Sequence, residues 1–117
     1  MKVLICGDRN WADYDLILEQ IRSALDPLKD VIIHGAARGA DSLAGKAGLS
    51  LGFEVQSFPA KWDTYGRAAG PIRNQEMLNQ KPDEVWAFHD SLATSKGTGD
   101  MCRRARAVRV TVRVFTH

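Results

Sequence analysis

Three short segments, residues 2–6 (KVLIC), 31–34 (VIIH) and 85–89 (VWAFH), are apolar at nearly every position, and turn or glycine residues follow each closely. Runs apolar on both faces and rich in Val and Ile fit central strands of a parallel sheet covered by helices on both sides. Residues 53–58 (FEVQSF) predict another strand, closed by Pro59. Between these runs the period changes to that of a helix. Ile17, Ile21, Ala24 and Leu28 repeat at helical spacing over 13–28, with Asp13 as the predicted N-cap and Pro27 ending the helix near residue 25. Leu43, Ala44, Ala47 and Leu51 do the same over 39–51, and further helices are predicted over about 70–80 and 99–107. From Arg109 to Phe115 the pattern alternates, with Val110, Val112 and Val114 opposite Arg109, Thr111 and Arg113. One buried face and one wet face predict a C-terminal edge strand. Strands and helices in this order, with short connections, predict a doubly wound three-layer α/β fold of about five mostly parallel strands. In such folds ligands bind at the carboxyl ends of the strands, where the strand order reverses.

At 117 residues the chain fits one domain, residues 1–117, and its 44% hydrophobic content supports a packed core. No run approaches the roughly 18 to 20 apolar residues of a membrane span. The N-terminal apolar stretch is too short for a secretory signal. Cys6 and Cys102 form neither a disulfide framework nor a CxxC pair, so a cytoplasmic protein with reduced thiols is expected. The net charge of +2 is unevenly spread: no acid follows Asp100, whereas Arg103, Arg104, Arg106, Arg109 and Arg113 do. That stretch reads as a solvated helix end and an edge strand protected by charge, with a single-stranded nucleic-acid surface as the alternative.

The ten glycines separate by place. Gly45, Gly48 and Gly52 bare one side of a predicted helix; a helical glycine costs about 1 kcal/mol relative to alanine, so close packing against the sheet, another helix or a second subunit is expected there. The other glycines fall in the loops at the strand ends. After the first strand comes Gly7-Asp8-Arg9-Asn10-Trp11, and after the second HGAARGAD, residues 34–41, which runs directly into a helix. Gly35 and Gly39 permit a tight turn, helix-start amides attract an anion, Arg38 adds a fork of donors, and Asp41 suits the helix dipole. Residues 59–69 lack periodicity and carry Lys61, Trp62, Tyr65 and Arg67, a long loop whose rings either stack on a base or, at Trp62, pin the loop to the body. Arg73 and Asn74 follow in the first turn of the next helix, Arg73 placed to meet an anion. After the fourth strand, Lys96-Gly97-Thr98-Gly99 opening a helix forms a second phosphate cradle. Neither cradle has the GxGxxG or Walker spacing, and no cofactor is implied. Cys6, His34 and His89 all end central strands, but without local ligand spacing no metal site is expected.

Taken together, CGDRNW, HGAARGAD, PAKW with AGPIRNQEML, and KGTGDM resemble the small YspA-like branch of the SLOG superfamily, from Gly7 to Met101 and in the same order. These are Rossmann-like proteins related to Lonely Guy phosphoribohydrolases and to the DNA-processing protein of transformation. The resemblance implies a pocket for a nucleotide or nucleotide-derived molecule, lined by the glycine loops, Arg38, Arg73 and Thr98. Met101 stands where the Lonely Guy motif has its glutamate. N-glycosidic hydrolysis, the enzymatic alternative, therefore needs a substitute acid; Arg73, Asp100 and Asp8 are the catalytic candidates. The expected partner is a nucleotide-derived small molecule. The small-residue helix and the edge strand each offer a surface for a homo-oligomer.

Overall fold

A computed structural model describes residues 1–117. Five strands, β1 (Lys2–Gly7), β2 (Val31–His34), β3 (Glu54–Ser57), β4 (Glu84–Phe88) and β5 (Thr111–Phe115), form one sheet in the order β3-β2-β1-β4-β5. Every neighbouring pair is parallel. The order reverses between β1 and its neighbours β2 and β4, so the carboxyl ends of these three strands flank the switch point. Helices α1 (Tyr14–Ala24) and α2 (Ala40–Ser50) cover one face, where Ile17, Ile21, Ala44 and Ala47 pack on Val3, Ile5, Ile32, Trp86 and Phe88. Helices α4 (Ala69–Asn79) and α5 (Gly97–Ala107) cover the other, where Met77, Met101, Cys102 and Ala105 meet Leu4, Cys6, Ile33, Val85 and Ala87. Successive side chains of one strand therefore feed different cores, which is why β1, β2 and β4 have no polar alternation.

Local sequence accounts for the ends of α1. The Asp13 carboxylate accepts from the Leu16 amide at 3.1 Å, and Leu25 closes the helix two residues before Pro27. In α2 the bare side is turned to the sheet. A Cβ at Gly45 would lie 2.7 Å from Nε2 of His34, and one at Gly48 2.9 Å from Ile32 and Val55. Gly52 does not share that role: it has open space around it and a φ of +85°, which makes it the turn out of the helix.

Two segments differ from the pattern-based expectation. Residues 62–65 form a short helix, α3 (Trp62–Tyr65), and a 3₁₀ turn over Gly66–Ala68 leads directly into α4. The stretch that lacked periodicity is thus two helical turns too short to show any. The edge strand starts at Thr111, because Arg109 has a φ of +63° and the Val110 amide still donates to Ala105. Its second face is not simply wet either. Phe115 stacks on Phe88 with centroids 4.6 Å apart, and Arg113 lies 5.2 Å over both Trp86 and Phe115. Beyond the strand, His117 stacks on Trp11 at 4.1 Å and pairs with Asp90 at 2.9 Å, fastening the chain end beside the loops after β1 and β4. No helix is long and apolar enough to cross a membrane.

Candidate functional site

At the carboxyl edge the loops after β1, β2 and β4, with α4 and α5, border an open cavity of about 420 Å³. Its floor is fixed by backbone. The Asp8 amide donates to Phe88 at 2.9 Å, and the Asp8 carbonyl accepts from Ala40 and Trp11, both at 3.1 Å. These bonds draw β1, β4 and α2 together so closely that only glycine fits at two positions. A side chain at Gly7 would meet the Phe88 carbonyl, and one at Gly39 (φ +79°) the carbonyls of Asp8 and Arg9. A second cavity of about 570 Å³ adjoins the first and shares Arg9, Ala37, Arg38 and Arg73 with it; Gly35, Pro59 and Trp62 complete its wall.

Four cations, Arg9, Arg38, Arg73 and Lys96, line the first cavity, and none has an ion-pair partner. Arg73 is the only half-buried one. Its Nη1 donates to the Gly35 carbonyl and its Nε to Asn74 Oδ1 at 3.0 Å, which leaves the Nη2 donors without a protein acceptor. Burial lowers its pKa from the ordinary arginine value, and Asp41 opposes that shift; an arginine remains charged regardless. Asp41 is 4% exposed and accepts the Gly35 amide at 2.9 Å. Desolvation raises its pKa from 3.8 to about 6, against the pull of Arg73 and of the Gly35, Ala37 and Asp41 amides.

Similarity to known proteins shows the family and the fold of the chain. The family model of the YspA, cpYpsA-related SLOG family (YAcAr) matches residues 1–65. Gene 61 protein of Mycobacterium phage D29 is 34% identical over 118 residues, covering 95% of this chain and 93% of the relative. The chain belongs to the YspA, cpYpsA-related SLOG family. In fold it is similar to DNA processing protein A (DprA) of Streptococcus pneumoniae, with a TM-score of 0.75 at 19% identity; the match covers 97% of this chain and 49% of that one. The sheet order and the two helical layers of this SLOG chain are therefore those of a larger protein's Rossmann-like part.

Within the SLOG chain, Gly7, Asp8, Arg9, Arg38, Asp41, Arg73, Asn74, Lys96, Gly97 and Thr98 come together around the first cavity, while Gly35 and Trp62 line the second. Gly39 and Gly99 line neither. Gly39 packs against the β1 loop, and a Cβ at Gly99 would lie 3.2 Å from Arg103. Asp100 is drawn away from the cavity: its carboxylate accepts from Asn74 at 3.0 Å and from Arg104 at 2.9 Å. Arg73 belongs to the second turn of α4 rather than the first, since that helix begins at Ala69.

Some amides of the two glycine loops are taken up by the protein itself. Gly35 donates to Asp41 and Ala36 to Nδ1 of His34 (3.0 Å), while Thr98 and Gly99 donate to the Ser95 hydroxyl at 3.1 and 3.4 Å. Asp41 thus occupies the anion position of the first loop, and Ser95 caps α5. Ser95, Asn10, His89 and Met101 are cavity residues that the sequence did not mark as ligand-binding. Asn10 and His89 carried a signal in following or ending a central strand, and Ser95 as a serine just ahead of a predicted helix. Cys6 also lines the cavity. The neighbouring Cys102 and burial push its thiol pKa well up. Cys6 faces the α4/α5 core whereas His34, paired with Ile5, faces α2; the two cannot share a ligand.

The raised Asp41 pKa has a measurable consequence. The folded value of about 6 exceeds the reference 3.8, so folding favours the protonated form. Relative to alkaline pH, the stability gained is fully present below about 3.8 and lost as pH rises through about 6, with an upper bound of about 3 kcal/mol. Asp41→Asn keeps an acceptor for the Gly35 amide and removes the buried charge. It is expected to stabilise the fold at pH 8 by about 1–2 kcal/mol, with the advantage over wild type vanishing near pH 4. Paired thermal denaturation across pH 4–8 checks this; a pH-independent difference contradicts it.

Proposed function

We propose that the protein binds a nucleotide or nucleotide-derived phosphorylated ligand at the carboxyl edge of its sheet, the whole chain serving as one binding domain. The observation that carries this reading is the set of four unpaired cations around one cavity, with the Arg73 Nη2 donors unoccupied. A half-buried guanidinium pays a desolvation cost that an anionic oxygen offsets through charge-assisted hydrogen bonds. Phosphate alone does not explain the remaining wall. Asn10, Ser95 and Thr98 supply an amide and hydroxyls suited to a sugar, and Trp62 supplies a ring face suited to a base. The C-terminal arginines support a nucleic-acid surface less well, because Arg104 holds Asp100 and Arg113 lies over Trp86 and Phe115 within 3.9 Å of Glu84.

The test is calorimetric titration with the common nucleoside mono-, di- and triphosphates. Binding is expected to weaken by at least about tenfold in high salt, and by a similar factor in the double variant Arg9→Ala/Arg38→Ala. Absence of binding by every nucleotide, or equal binding by the double variant, refutes the assignment.

A further inference from the structure

His34 is only 8% exposed, yet the protein uses just one of its two ring nitrogens. Nδ1 accepts from the Ala36 amide at 3.0 Å, which places the proton of the neutral ring on Nε2. Burial, and after it the Arg73 charge, lowers the pKa of the ring from its ordinary value, so the neutral form prevails above pH 7. The Nε2–H group has no acceptor in the protein. No side-chain nitrogen sealed from solvent lacks a partner, so Nε2 opens to a cavity. It is also the leading atom of the ring: a Cβ at Gly45 would lie 2.7 Å from Nε2 and 3.3 Å from the two carbons beside it. Glycine at position 45 keeps that donor clear.

The cavity it borders measures about 390 Å³, lies between α2 and the edge strand β3, and contains none of the arginines. Ser57 pairs with His34 in the register of β2 and β3. Neighbours in parallel strands stand about 4.8 Å apart on one face of the sheet, so the Ser57 hydroxyl and His34 Nε2–H lie side by side in the same wall. Lys46 is the only charged residue lining the cavity. Its ammonium rests 5.0 Å over the Tyr14 ring and has no ion-pair partner. Leu49, 67% exposed, and Val55 make an apolar border. Two adjacent neutral donors, one cation and no acid match a group with two acceptor oxygens and a single charge.

We infer that this cavity is a second ligand site, one that takes a small aliphatic carboxylate. One carboxylate oxygen accepts from His34 Nε2–H and the other from the Ser57 hydroxyl. The Lys46 ammonium, on a flexible stem, turns from Tyr14 to the bound charge, and the aliphatic chain lies on Leu49 and Val55. The site draws on none of the four cations of the nucleotide cavity, so the two readings are tested separately.

The test is an NMR titration of the full chain with sodium butyrate at about pH 7.5, where His34 is neutral, followed at the assigned His34 ring protons. A saturable shift is expected, with a Kd of roughly 1–10 mM, the range for a ligand of so few atoms. Acetate is expected to bind at least about threefold more weakly, because it lacks the chain. Sodium chloride at equal concentration leaves the signals in place. Lys46→Met and Ser57→Ala, both at exposed positions, each weaken butyrate by about threefold or more. Gly45→Ala fills the space before Nε2 and abolishes the shift; the two exposed variants decide the matter if that protein does not fold. Binding persists in Arg9→Ala/Arg38→Ala. The proposal is overturned by any of four results: no saturation up to about 100 mM, an equal shift with chloride, butyrate affinity unchanged in Lys46→Met and Ser57→Ala, or loss of binding in Arg9→Ala/Arg38→Ala.

Discussion

Arg73→Ala is expected to weaken nucleotide binding by about 10- to 100-fold, the worth of one charge-assisted hydrogen-bonded contact of about 1.5–3 kcal/mol. Arg9, Arg38 and Lys96 are exposed and screened by solvent, whereas Arg73 is half-buried and oriented by two protein acceptors, the Gly35 carbonyl and Asn74 Oδ1. Its charge therefore acts at fixed geometry and through less water. Arg73→Lys restores the charge but not the fork that reaches Gly35 and Asn74 together, so it is expected to recover only part of the loss. The alanine variant also removes the cation that lowers the Asp41 pKa, which should then rise above about 6. Titration calorimetry with a nucleotide, together with the pH dependence of stability, measures both effects. Unchanged affinity in Arg73→Ala removes this residue from the site. An unchanged Asp41 titration shows that the two groups are not coupled.

Gly7→Ala is expected to destabilise the fold by more than about 3 kcal/mol, the upper range for forcing a methyl group into a packed site. The added Cβ would press on the Phe88 carbonyl and come within 2.7 Å of the Ala40 Cβ. Neither neighbour can yield cheaply. Phe88 O is held by the Asp8 amide, and Ala40 N–H by the Asp8 carbonyl, so the same residue locks both walls. For a domain of this size the loss corresponds to a fall in Tm of at least about 10 °C. Gly97→Ala is the matched control: a Cβ there meets nothing within 4 Å, and the position opens α5. It is expected to be neutral or to stabilise by up to about 1 kcal/mol. Similar melting temperatures for the two variants would show that the close approach at Gly7 is not what holds the strand ends together.

Much of the architecture is written locally. The apolar runs of β1, β2 and β4, the Asp13 cap and the Pro27 stop lie in consecutive residues, and periodicity needs nothing else to be read. Placement of Arg73, Lys96 and Thr98 at one edge followed from the rule that these loops end parallel strands. The motif residues from Gly7 to Met101 carried the family in the same way, as a set in order.

What each polar group faces was decided by how the loops fold back, as well as by groups far along the chain. The HGAARGAD loop reads as a free phosphate cradle until Asp41 folds back onto the Gly35 amide, and the α5 start does so until Ser95 caps it. Asp100 stands one residue from Gly99, yet Asn74 and Arg104 hold it outside the cavity. Sequence by itself determined the central strands, the main helices and the edge at which the glycine loops lie, because continuous apolar runs and a 3.6-residue repeat are read from consecutive positions. Only the tertiary structure decided that Arg9, Arg38, Arg73 and Lys96 border one cavity without ion-pair partners while Asp100 is held away from it. That outcome depends on which distant group reaches each donor first, a matter of three-dimensional distance that no spacing along the chain records.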